Sequence, residues 1–166
     1  DNGASGIRIY LDYPEIFKLK GDDLFKSCAE KKLVVSLASN LKTFASVNFS
    51  KLIERNSKTN FIIEHLSGAN NFSKDRNSKD YFNKVLKMSI YNNLYMKIPG
   101  LGEIYERPMI LNYNYPFHEV DSNLIKKVLD SFGSKFLMWG SDFPPVSNRE
   151  GYKNALEGIY LSLIHI

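Results

Sequence analysis

Three short segments end in residues that could do chemistry. In "FIIEHLSG" an apolar run delivers Glu64 and His65, and in "YMKIPG" Lys97 stands near the end of another. In "KFLMWGSDFPP" a mostly apolar run leads through Gly140 and Ser141 to Asp142, and Pro144 and Pro145 then stop regular pairing. Imidazole, amine and carboxylate side chains can transfer protons, polarise a carbonyl or ligate a metal. Each also has a plainer reading. His65 could be a core or capping histidine, Lys97 could reach past the strand end to water, and Asp142 could hold the following turn by an Asx-type hydrogen bond. Strand alternation groups Phe61, Ile63 and His65 on one face, and Phe136, Met138, Gly140 and Asp142 on one face. The expectation is that His65 and Asp142 converge at the mouth of one sheet. Three successive strand ends bearing such groups favour the chemical reading over the plain one.

The elements that must position these residues recur as strand-then-helix units. Strands are expected at "SGIRIYL", "LVVSLAS", "NFIIEHL", "NLYMKIPG" and "KFLMWGSD". Helices are expected at "GDDLFKSCAEKK", "LKTFASVNFSKLIERN", "SKDYFNKVLKMSIYNN" with Ser78 as N-cap, "DSNLIKKVLDSFG" with Asp121 as cap and Gly133 as stop, and "REGYKNALEGIYLSL". Apolar strands alternating with helices predict an α/β fold, a parallel sheet covered by helices. Five units of about 33 residues each suit βα repeats. No Gly-rich phosphate loop follows the first strand, and "GLGE" (100–103) lacks the third glycine and the helix of a dinucleotide fingerprint. A doubly wound sheet and a (β/α)8 barrel both remain open, and a complete barrel takes about 250 residues. The connection from Pro99 to Val120 is long enough to be a functional lid. It carries Glu103, Arg107 and His118, for which a loop ion pair and loop packing are the plainer readings.

Composition narrows the partners. A hydrophobic content of 43% is that of a globular domain rather than a disordered one. The net charge of +4 is spread without any long basic run, which argues against nucleic acid. No apolar stretch reaches the roughly 18 residues of a membrane span. Cys28 is the sole cysteine, so a disulfide framework is excluded and a reducing, cytoplasmic location is expected. His165 lies in the final "LSLIHI" and is set aside as a site.

The longer motifs match a known family. "FIIEHLSG", "NLYMKIPGLGEIYERP" and "FLMWGSDFPPVSNREGYKNAL" resemble the fifth-, sixth- and last-strand segments of the amidohydrolase-related family (amidohydrolase 2 type), metal-dependent (β/α)8-barrel hydrolases that include lactonases and decarboxylases. "SGIRIYL" and "LFKSCAEKKLVVSL" are similar to its third and fourth units. The resemblance runs to about Ile159 and implies a partial (β/α)8 TIM barrel of about five βα units. Residues 1–160 would form the barrel domain and 161–166 a tail similar to translated adapter sequence. It implies water attack on the carbonyl of a small ester, lactone or amide. Asp142 would be general base and metal ligand, His65 metal ligand or polarising group, and Lys97 a group beside the substrate. Glu103, Arg107, His118 and Arg149 are taken as substrate-binding. A divalent metal, Zn or Mn, is implied for the full-length parent, and a metal-free mechanism is the alternative. The family's strand-one His-X-His pair does not occur in this chain, so the expectation is a fragment, inactive alone, of a longer enzyme. A decarboxylase of the same family and a non-catalytic small-anion-binding module are the competing readings.

Overall fold

A computed structural model of the 166-residue chain describes residues 3–71, 76–104 and 122–164. Five strands form one parallel sheet: β1 (Gly6–Tyr10), β2 (Val34–Ala38), β3 (Phe61–Ile63), β4 (Leu94–Ile98) and β5 (Leu137–Trp139). They lie in the order β1-β2-β3-β4-β5, each hydrogen-bonded to its sequence neighbour. A doubly wound sheet reverses strand order at a switch point. Here there is no reversal, which is the arrangement of strands around an arc of a barrel.

Seven helices are described: α1 (Leu19–Glu30), α2 (Leu41–Phe44), α3 (Val47–Arg55), α4 (Ser78–Leu86), α5 (Ser122–Phe132), α6 (Pro145–Arg149) and α7 (Tyr152–Ile164). Register assigns the two faces of the sheet, because paired residues point the same way. One face carries Val35, Leu37, Phe61, Ile63, Leu94 and Met96, all fully buried. These join Phe25 of α1, Phe49, Leu52 and Ile53 of α3, Val85 of α4 and Ile125 and Val128 of α5 in one apolar core. The Phe25 and Phe61 rings meet edge to face at 5.2 Å, a favoured aromatic geometry. The other face carries Arg8, Ser36, Ile62, Tyr95, Lys97 and Met138, exposed or half-buried here.

Several expected elements are shorter or divided. The single helix expected over 41–56 is two, α2 and α3, because Ser46 caps a new start by accepting the Phe49 N–H at 3.2 Å. Helix α4 has Asn77, not Ser78, at its cap position, and Ser78 is its buried first residue. The last expected helix begins later, at Tyr152, after Gly151, whose φ of 80° is left-handed, and the short α6 precedes it where no helix was expected. The α7 helix runs on through Ile164, into the segment read as a tail. Gly133 does end α5, with a positive φ of 73°. The fifth strand is only Leu137–Trp139, preceded by a 3-10 turn over Ser134–Phe136. Asp121 lies outside the described residues.

At the end of the sheet opposite the site, α1 and α3 are tied by polar groups. The Asp22 carboxylate, 5% exposed, accepts from Arg55 Nε and Asn56 Nδ2, each at 2.8 Å. Asn93 Nδ2 lies within 3.3 Å of the carbonyl oxygens of Ile53, Asn56 and Thr59, which closes the start of β4 onto the α3–β3 connection.

Candidate active site

The groups singled out above gather at the C-terminal ends of β3, β4 and β5, but not by strand alternation. Phe61 and Ile63 point into the helical core, whereas Met138 pairs in register with Lys97 on the opposite face. The two faces expected to converge are therefore opposite faces. His65 reaches the site because the chain leaves extended conformation after Ile63. His65, Leu66, Ser67 and Gly68 take φ values of 52°, 47°, 59° and 77°, a left-handed turn of four residues. Left-handed backbone costs an L-residue about 1–2 kcal/mol. Three non-glycine residues here bear that cost, and full burial of Leu66, worth about 1.5–3 kcal/mol, offsets part of it. Asp142 is also left-handed, with φ of 59°. Its backbone carbonyl, rather than its side chain, accepts the Val146 N–H at 3.0 Å and opens α6. The carboxylate is left to face the site, so the Asx-turn reading is not what the structure has.

His65 lies among three carboxylates. Its Nδ1 is 2.6 Å from Glu103 Oε2, and its Nε2 is 3.5 Å from Glu64 Oε2 and 3.9 Å from Asp142 Oδ1. Hydrogen bonds to Glu103 and then Glu64 raise its pKa to about 9 against the opposing effect of burial. With the carboxylates alone as partners the ring carries a proton at neutral pH and supplies positive charge to the cluster; ligating a metal ion would displace that proton. Arg149 closes the other side, with Nη1 3.5 Å from Asp142 Oδ2 and 3.9 Å from Glu103 Oε2.

A second layer lies beneath. Glu64, 5% exposed, accepts from Ser36 Oγ at 2.6 Å and from Lys97 Nζ at 3.1 Å. Its Oε2 forms an ion pair with Arg8 Nη2 at 2.5 Å. Burial pushes the Glu64 carboxyl upward, but hydrogen bonds from His65, Ser36 and Lys97 outweigh it and hold the pKa well below the usual carboxylate range. Lys97 thus neutralises Glu64 rather than standing apart. Its stem lies against Gly140, where an added Cβ would come 2.9 Å from Lys97 Cδ.

Glu103, placed with the substrate contacts in the sequence reading, is the third member of the central group. One oxygen or nitrogen from each of His65, Glu103 and Asp142 lies within 4.8 Å of the others. One imidazole and two carboxylates suit a divalent ion in donor chemistry, and catalytic zinc sites use about three protein ligands. Arg107 and His118 lie outside the described residues. Reading the sequence overlooked Arg8, Ser36 and Glu150. A signal for the first two was present: each is a polar residue inside an apolar strand, and the two are register partners.

Similarity to known proteins agrees with this architecture. A family model described as amidohydrolase matches residues 1–159. The chain belongs to the amidohydrolase family. None of the curated proteins matches it. Among solved structures, an amidohydrolase from Burkholderia multivorans with bound HEPES aligns with a TM-score of 0.74 at 15% identity, covering 95% of this chain and 56% of that one. A zinc-bound crystal form from the same organism gives the same score at 14% identity and the same coverages. A putative 2-pyrone-4,6-dicarboxylic acid hydrolase from Pseudomonas putida aligns with a TM-score of 0.67 at 17% identity, covering 96% of this chain and 56% of that chain. The chain thus spans a little over half the length of these structures. Its five parallel strands with their helices are a partial TIM barrel of the amidohydrolase fold.

Proposed function

We propose that the protein is an amidohydrolase-type hydrolase that directs water onto the carbonyl of a small ester, lactone or amide, with Asp142 as general base. The observation that carries this reading is the meeting of His65, Glu103 and Asp142 at the C-terminal end of a parallel sheet, where barrel enzymes place their catalytic groups. His65, Glu103 and Asp142 would hold a divalent ion, which when bound supplies Lewis-acid polarisation of the carbonyl.

The chain's own groups account for the proton. As the water oxygen bonds to the carbonyl carbon, a water proton passes to Asp142. When the carbon–oxygen or carbon–nitrogen bond breaks, Asp142 returns that proton to the departing atom. Arg149, beside the Asp142 oxygen, orients the carboxylate and supplies positive charge near the reacting centre. Lys97 and Arg8 balance Glu64, so the floor of the site does not repel an anionic intermediate.

The test uses the full-length protein with a panel of lactones, esters and amides and a metal assay of the same preparation. Asp142→Asn is expected to lower kcat about 10²–10⁴-fold, the span of general acid–base contributions, with the fold retained. Turnover at the wild-type rate would remove Asp142 from that role. Stoichiometric Zn or Mn, lost in the His65→Ala variant, is the expected metal result.

A further inference from the structure

We propose that Glu150 is a positioning residue that acts through Arg149, and that Gly100 and Gly102 are glycines because its carboxylate lies where their side chains would be. Glu150 is 3% exposed, beside the site but touching none of His65, Asp142 or Lys97 in the contacts above. A carboxylate buried so deeply needs firm partners, and this one has them. Its Oε2 lies 2.6 Å from Arg149 Nε, and its Oε1 lies 3.3 Å from Arg149 Nη2. Two contacts on one edge of a planar guanidinium fix its plane, not merely its position. The third nitrogen, Nη1, is then presented to Asp142 and Glu103.

The same carboxylate also holds the segment that carries Glu103. Oε1 accepts the Gly102 N–H at 3.2 Å. An added Cβ would fall 2.5 Å from Glu150 Oε1 at Gly100, and 2.6 Å from Glu150 Cδ at Gly102. Neither glycine has a positive φ, so conformational freedom does not explain them; space for Glu150 does at Gly102, and space for Glu150 together with Ala155 Cβ, 3.1 Å away, does at Gly100. One buried carboxylate therefore sets two groups of the site, Arg149 directly and Glu103 through its turn. Outer partners of this kind are known to control how directly acting groups are oriented, and displacements near 1 Å can cost about 10²-fold in rate.

The kinetic part of the test rests on the hydrolase reading above, and the spectroscopic part does not. In the full-length protein, the Arg149 Nε–H resonance, identified by its loss in Arg149→Lys, is expected to exchange slowly with water. Glu150→Gln and Gly102→Ala should each speed that exchange about tenfold or more. Each should also lower kcat about 10- to 100-fold while KM moves less than about threefold. In an Arg149→Lys background, Glu150→Gln should cost less than about twofold further, because the residue it positions is already altered. Unchanged exchange in both variants, or a full Glu150→Gln penalty persisting without Arg149, would overturn the proposal and leave Glu150 as a brace of the loop. A wild-type protein that turns over nothing on the panel counts against the hydrolase reading alone, and the exchange comparison then decides the positioning role.

Discussion

At the scale of single residues, the site is organised by charge balance around two acids that differ in burial. Glu64 is buried and surrounded by Arg8, Ser36, His65 and Lys97, whereas the Asp142 side chain is 25% exposed and faces the mouth. The first is suited to holding cations in place, the second to meeting a substrate. Replacing Glu64 by Gln keeps the shape but leaves Lys97 and Arg8 without a counter-charge. An unbalanced charge in a half-buried setting is costly, so this variant should lose about 1–3 kcal/mol of stability, measured by urea denaturation. Arg8→Gln, whose side chain is 48% exposed, should cost much less in the same assay. Equal losses for the two would show that the burial of Glu64 is not what makes it matter.

Among the elements, strand ends and helix ends do most of the positioning. The left-handed turn after β3 swings His65 to the mouth, and the left-handed Asp142 before α6 does the same for the carboxylate. Residue type signals these turns only in part: His65, Gly68 and Asp142 are types that tolerate positive φ, but Leu66 and Ser67 are poor candidates for it. A similar conformation ends α1, where Lys32 has φ of 54° with no functional group nearby in the site. Its N–H bonds to the Ala29 carbonyl at 3.0 Å, part of a helix-terminating turn in which glycine is the usual residue. Lys32→Gly is expected to raise stability by about 1 kcal/mol, read as an increase in Tm, because the Cβ penalty is removed. A decrease would show that the lysine stem contributes more than the backbone strain costs.

For the molecule as a whole, stability in acid follows from two carboxylates with lowered pKa values. Burial pushes Asp22 upward, but hydrogen bonds from Asn56 and Arg55 outweigh it and lower its pKa, as the partners of Glu64 do for that residue. A depressed folded-state pKa contributes stability that is fully present above the ordinary value and is lost as pH falls through the lowered one. Unfolding free energy should therefore fall steadily below about pH 4, and the raised pKa of His65 should make it fall again as pH rises from about 6.5 toward 9. Asp22→Asn should flatten that acid limb while lowering stability at neutral pH, and a limb as steep as in the wild type would exclude Asp22 as a contributor. The parallel sheet, its five strands and most helix locations were legible in the sequence, because apolar periodicity and turn residues are local and burial enforces them. Lys97, His65 and Asp142 were legible as strand-end groups for the same reason. That His65 and Asp142 share one site was read from alternation, yet strand register sets those two faces opposite each other. They meet because left-handed backbone at His65 and Asp142 turns each group to the mouth, and because Glu103 and Arg149 arrive from other segments. The contacts of His65 with Glu103 and Asp142, and of Glu103 with Arg149, join residues 38 to 77 positions apart, and their energies depend on the packed core rather than on any local pattern.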